Sequence, residues 1–320
     1  MSEFNHRALA LWGYHAVRDQ FAGDISDLLK FSLLRALAGS DKRLGIGWYF
    51  VAEHNNRPDG RHREFCEETK WEALDKDVWN GLRDLKRRSV GALEGLQFWP
   101  GKPKFHREPI QLGALRQSWF KGMNENLAGT DLVFLDPDNG LGRNGKLHAT
   151  IVEIKEMRGD GRAVVLIKFP GHVQHDKQAW NFHRLLTRDA GAKTVLTIAT
   201  VVIINKTPRV RWFTILDADE KLTIRANSFV KRLNSVRGCK AYFVPRLSGS
   251  EPRSTHDPIL ATGKNRNKKR VCPECEYRFR GNGFDGIDAH WKARHQDVMP
   301  YPQAWPLIKA GKYQRHGLAS

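Results

Sequence analysis

The stretch Asp131-Leu132-Val133-Phe134-Leu135-Asp136-Pro137-Asp138-Asn139-Gly140-Leu141 decides how this chain is read. A half-exposed strand alternates apolar and polar residues, whereas an unbroken Leu-Val-Phe-Leu run suits a parallel strand covered on both faces. Pro137 and Gly140 then turn the chain out of the sheet. Ligands of open α/β sheets sit at such carboxyl ends. Two carboxylates and an amide delivered there can hold a polar substrate edge, a metal or a proton, so Asp136, Asp138 and Asn139 are the candidate catalytic residues.

Working outward, residues 22–39 have Leu28, Leu29, Phe31, Leu33, Leu34 and Leu37 at helical spacing, stopped by Gly39. Asp24 or Ser26 can cap that helix, and Lys30 lies close enough to its start to share a site with whatever binds there. Residues 42–52 read as another strand, ending in Glu53, His54 and then Asp59. In a parallel sheet that end faces the same edge as Asp136, which makes Asp24, Lys30, Glu53 and His54 the candidate cofactor-binding set. No Gly-x-Gly-x-x-Gly follows the strand, so the dinucleotide phosphate cradle is absent.

Helical patterns at 61–74, 78–88 and 112–127 lead up to the central strand; helix 150–157 and strand 162–169 follow it, giving a β-α-β rhythm. A helix at 174–188, a hairpin of 195–204 with 210–216 around Asn205-Lys206-Thr207-Pro208, a helix at 219–236 and a strand at 239–244 complete the first domain. The expected fold is α/β, Rossmann-like with a mostly parallel sheet over residues 1–246, followed by a linker at 247–270, a metal-binding module at 271–296 and a tail at 297–320.

The chain of 320 residues is 40% apolar and carries a net charge of +18. Such an excess points to a polyanionic partner, nucleic acid above all. No apolar run approaches the roughly 18 residues of a membrane span, and residues 1–7 do not open a signal peptide, so no membrane partner and a cytoplasmic location are expected. Within the linker, Lys264, Arg266, Lys268, Lys269 and Arg270 lie in seven residues and are the candidate phosphate contacts.

Immediately after that tract, Cys272, Cys275, His290 and His295 give C-x2-C-x14-H-x4-H, the ligand set and spacing of a tetrahedral zinc site. Phe279 and Ile287 occupy apolar positions that such a module buries. The segment resembles a C2H2 zinc finger with an inter-pair stretch two residues longer than the usual twelve. That resemblance implies a ββα fold and a structural zinc.

Three short pieces of the first domain resemble the bacterial ribosomal RNA adenine-N6 methyltransferases. Residues 22–30 are similar to their opening Ala-Gly-x-x-x-Asp-x-Leu-Lys helix, Trp99-Pro100-Gly101-Lys102-Pro103 to their Tyr-Pro-Gly-x-Pro turn, and Asp136-Pro137-Asp138-Asn139 to their Asp-Pro-Pro-Tyr. The resemblance implies a class I methyltransferase-like fold, S-adenosylmethionine as cofactor, and Asp136 as the residue that holds an adenine amino group. Asn139 stands where the family has a base-stacking aromatic, and Asp138 stands where it has a second proline. Asp138 with Glu153 and Lys155 also fits the spacing of PD-(D/E)-x-K nucleases, which hold Mg²⁺. A non-catalytic nucleic-acid-binding domain is the third reading.

Overall fold

The computed structural model describes residues 18–51, 62–137, 140–142, 148–159, 161–170, 175–245, 271–277, 279, 286–310 and 313–315. The chain divides into two compact units, Met1–Thr255 and His256–Ser320.

In the first unit, helix α1 (Ile25–Ala38) begins where the Asp24 carboxylate accepts hydrogen bonds from the backbone N–H groups of Ser26 and Asp27, and ends at Gly39 with φ 55°. Twelve of its fourteen residues are buried, so this is a helix enclosed on every side rather than one with a single apolar face. Strands β1 (Leu44–Trp48), β2 (Lys104–His106), β3 (Leu132–Asp136), β4 (Ala163–Lys168), β5 (Val195–Ile204), β6 (Thr207–Leu216) and β7 (Cys239–Phe243) form one sheet in the order β2-β1-β3-β4-β6-β5-β7. Between them run α2 (Glu72–Arg83), α3 (Val90–Glu94), α4 (Arg116–Asn126), α5 (Ile151–Met157), α6 (His175–Arg184) and α7 (Glu220–Ser235).

The sheet is mixed, which corrects the expectation of a mostly parallel Rossmann sheet. β2, β1, β3 and β4 pair in parallel, but β4–β6, β6–β5 and β5–β7 are antiparallel. The physical reason is local: β5 and β6 are joined by Asn205 and Lys206 with φ of 49° and 62°. That two-residue, positive-φ turn matches strand twist and folds the chain straight back on itself. Pro208 lies inside β6, beyond the reach of β4, which pairs with β6 only as far as Trp212.

Helices cover both faces, and the period-two alternation of each strand shares its side chains between two cores. Leu132 and Phe134 of β3 pack with α1, α2 and α7 on one face; Val133 and Leu135 pack with α4, α5 and α6 on the other. Asp136 continues the first series, so it faces α1. Residues 62–71, expected to be helical, contain short 3-10 turns, and α2 carries a non-helical Asp75 near its start.

The second unit holds α8 (Ile287–Arg294) and α9 (Tyr301–Lys309), the latter within the segment expected to be a tail. Its core is Cys272, Phe279, Ile287, Trp291, Ala304 and Ile308. Among the described residues of both units, no helix is long and apolar enough to cross a membrane.

Gly47 exposes the tightness of the first core. A Cβ there would lie 2.6 Å from Met123 Sδ and 3.1 Å from Leu135 Cδ2, whereas one at Gly122 on α4 would meet nothing within 4 Å. We expect Gly47→Ala to destabilise the unit by about 1–3 kcal/mol through overpacking. Gly122→Ala should stabilise it by about 0.5–1 kcal/mol through helix propensity. Urea denaturation of the two variants checks both signs.

Candidate functional site

Chain order places β2 on one side of β1 and β3 on the other, so the crossovers leave in opposite directions at the β1/β3 junction. The carboxyl edge of a doubly wound sheet opens a crevice at such a switch point. Asp136, the last residue of β3, stands at this edge in register with Trp48 of β1.

The side chain of Lys30 reaches Asp136 from α1. Its Nζ donates to Asp136 Oδ2 at 2.8 Å and lies 2.8 Å from Asp27 Oδ1, with side-chain exposures of 10% for Lys30 and 4% for Asp136. The backbone N–H of Gly23 donates to Asp27 Oδ2 at 2.7 Å. Burial alone disfavours the Lys30 ammonium, but Asp136, Asp27 and Asp24 outweigh it and hold its pKa above the ordinary lysine value. Burial raises Asp136 above the usual carboxylate range, and Lys30 pulls it partly back. Asp24 is likewise raised, by burial first and then by Asp27. The contact between Lys30 and Asp136 has the geometry of a salt bridge in a water-poor setting.

One member of this cluster was not foreseen. Arg211 on β6 is buried, donates from Nε to Ser26 Oγ at 2.9 Å, and has no hydrogen-bond partner for Nη1 among the described residues. Burial lowers its pKa from the usual arginine value, with Asp24 and Asp27 opposing. The signal was present in Val210-Arg211-Trp212-Phe213-Thr214-Ile215, since period two puts Arg211 on the face of Phe213 and Ile215.

The structure therefore brings together Asp24, Lys30 and Asp136. Asp138, Asn139, Glu53 and His54 lie outside the described residues, as do Lys264, Arg266, Lys268, Lys269 and Arg270. Gly140 is described: at φ 70° its added Cβ would meet Ile167 O at 3.1 Å, so the turn crosses close over the end of β4. Glu153 and Lys155 are on α5, not on an extended segment. The Glu153 carboxylate completes a capping box with Thr150, pairs with Arg116 and accepts from Tyr49 Oη at 3.2 Å. Those contacts give Glu153 a structural use.

A separate recess of about 600 Å³ is lined by Phe65, Trp71, Lys70, Arg237 and Cys239 among others. Burial pushes the Cys239 thiol up to about 11, so it is protonated at neutral pH.

In the second unit, Cys272, Cys275, His290 and His295 converge, with their ligand atoms all within 4.8 Å of one another. Cys275 Sγ and His290 Nε2 are 3.2 Å apart, as are the Nε2 atoms of His290 and His295. A tetrahedral zinc with bonds of about 2.0–2.3 Å requires donor separations of about 3.3–3.8 Å, so these two separations are close to what it needs and the set as a whole, spread over up to 4.8 Å, has to draw in on binding. The turn that presents the thiols is closed by Cys272 N–H to Tyr277 O at 2.8 Å and Glu276 N–H to Cys272 O at 2.9 Å. His290 comes from α8, and His295 caps its end rather than continuing it. This cluster can hold a metal ion such as zinc.

No family model matches the chain, and no curated protein does. Among solved structures it is similar to protein LPL1258 from Legionella pneumophila, described by the family model DUF519, at 13% identity and a TM-score of 0.36. The alignment covers 70% of this chain and 97% of that one.

Two outcomes follow from this geometry. Lys30→Met leaves Asp136 and Asp27 buried without their cation and should cost about 3–5 kcal/mol at neutral pH. In that variant burial keeps Asp136 above its unfolded value with no cation to pull it back, so stability is fully present below the unfolded carboxylate range, is lost as pH rises from there through the raised folded value, and recovers as pH falls. Chemical denaturation at neutral and acidic pH should show the gap to wild type narrowing on acidification. For the metal centre, purified protein should carry stoichiometric zinc by elemental analysis, and Cys275→Ser should lose most of it.

Proposed function

We propose that the chain is a nucleic-acid-binding protein whose α/β unit is methyltransferase-like and acts on an amino nitrogen of a nucleobase, and whose C-terminal unit is a structural zinc finger that holds the substrate. The observation behind the catalytic half is Asp136, a buried carboxylate at the switch point, paired with the Lys30 ammonium through Oδ2. A carboxylate so held can accept an N–H from an exocyclic amino group and orient its lone pair. It is also the nearest base for the proton released once the nitrogen has gained its fourth bond. The parallel β2-β1-β3-β4 half of the sheet supports the fold assignment, with the antiparallel half as this chain's departure from a plain Rossmann sheet.

S-adenosylmethionine, when bound, supplies an electrophilic methyl group. Arg211 suits the carboxylate of its amino-acid moiety, because one buried guanidinium nitrogen has no acceptor among the described residues and Ser26 fixes another. The reading for nucleic acid rests on the net charge of +18 and on the basic tract at 264–270 that precedes the metal ligands.

Calorimetric titration of S-adenosylmethionine into wild type, Asp136→Ala and Arg211→Gln tests the cofactor, and transfer of labelled methyl to protein-free nucleic acid tests the reaction. We expect Arg211→Gln to weaken cofactor binding about tenfold or more, the scale of one charge-assisted hydrogen bond. Asp136→Ala should abolish transfer. No heat and no transfer with wild type at saturating cofactor would remove the methyltransferase reading.

A further inference from the structure

A finger that reads duplex sequence does so through side chains at positions −1, 3 and 6 of its helix, which approach base edges in the major groove. Counted from the start of α8, these positions are Gly286, Ala289 and Lys292. The first two have no donor or acceptor beyond Cβ. The third holds its ammonium 5.8 Å from the centre of the Tyr301 ring, packed toward α9. This helix is not equipped for base-edge readout.

What the unit offers instead is an exposed aromatic beside a cation. Tyr277, two residues after the second metal-ligating cysteine, is 52% exposed. It stacks on His290 with ring centroids 4.7 Å apart and planes at 19°, and meets Phe279 edge-on at 5.3 Å. One face of the ring is thus fixed by a metal ligand and the core, while half the residue remains in solvent. Arg294 lies one helical turn after His290 on the same stripe of α8 and is exposed. A rigid ring with a nearby guanidinium is the pairing by which proteins hold unpaired nucleotides, stacking the base and contacting the phosphate.

We infer that the C-terminal unit binds single-stranded nucleic acid, with Tyr277 stacking an unpaired base and Arg294 contacting the adjacent phosphate, without reading sequence. This rests on the nucleic-acid reading above and specifies its substrate as unpaired rather than duplex. Such a partner suits the other unit as well, since an exocyclic amino group is reachable only on an unpaired or extruded base.

The test uses the full-length zinc-loaded protein and fluorescent oligonucleotides of about ten nucleotides, as single-stranded DNA, single-stranded RNA and the DNA duplex. We expect single strands to bind more tightly than the duplex, mixed sequences to agree within a few-fold, and the DNA and RNA arms to show whether the 2′-hydroxyl matters. Tyr277→Ala should lose about tenfold or more on single strands, with Tyr277→Phe near wild type and Arg294→Gln weaker with a shallower salt dependence. Zinc content is measured for each variant, so a loss that accompanies zinc loss is separated from loss of stacking. Tyr277→Ala binding single strands like wild type, or a duplex preferred in a sequence-dependent way, would overturn the inference while leaving nucleic-acid binding in place. Absence of binding to any oligonucleotide at low salt would overturn the nucleic-acid reading itself.

Discussion

Lys30 and Asp136 meet at 2.8 Å from elements far apart in sequence, one on a helix and the other at the end of a strand. Neither charge is tolerable in that setting without the other, so α1 has one permitted height and rotation above β3. The apolar side chains of α1 specify burial but not register, because leucines pack almost equally well after a small slide. The ion pair supplies the register, and Asp27 extends it by tying Lys30 to the Gly23 backbone N–H just before the helix. Against an apolar pair of the same volume, such a pair adds little net stability. Its presence is better accounted for by what an ionised carboxylate can do at the ligand-binding edge of a sheet.

The same constraint explains what the sequence disclosed. β3 was legible because its apolar run stops abruptly at an acid, and α1 because its leucines recur at helical spacing. The four metal ligands were legible because their chemistry and intervals leave few alternatives. α9 was hidden by Pro302 and Pro306, which read as helix breakers. Pro302 sits at the start of α9, where its missing N–H costs nothing, and the burial of Ala304 and Ile308 in the core of the second unit carries the rest of the helix past Pro306. The glycines of β1, which weaken a strand by propensity, are there for space: Gly45 faces Thr130 and Leu127, and Gly47 faces Met123.

The hairpin around Asn205 and Lys206 was legible, but the insertion of its second strand between β4 and β5 was not, and that placement bears on the site directly. In a parallel strand the residue at the ligand edge is the last one, which is why an acid closing an apolar run drew attention to Asp136. An antiparallel neighbour reaches the same edge with an earlier residue. β4 ends at Lys168, paired with Trp212, so Arg211 stands one step beyond the carboxyl end of β4 while still in the first half of its own strand. Without knowing that the Asn205–Lys206 turn sends β6 back between β4 and β5, nothing distinguishes Arg211 from any other interior-facing position.

The cluster that results holds two buried carboxylates, Asp27 and Asp136, and the half-buried Asp24 against two buried cations, Lys30 and Arg211. Lys30 is used twice, by Asp27 and Asp136, whereas Arg211 is held by a neutral hydroxyl and has one buried nitrogen without an acceptor among the described residues. A folded chain meets that desolvation cost only where something else offsets it, since an unpaired buried donor is unfavourable by about 1–3 kcal/mol. Asp24 acts on Arg211 through its charge, while its Oδ1 accepts from the Ser26 and Asp27 backbone N–H groups in the first turn of α1. The cap that starts the helix therefore leaves Arg211 Nη1 without an acceptor among the described residues, at the same edge of the sheet as Asp136.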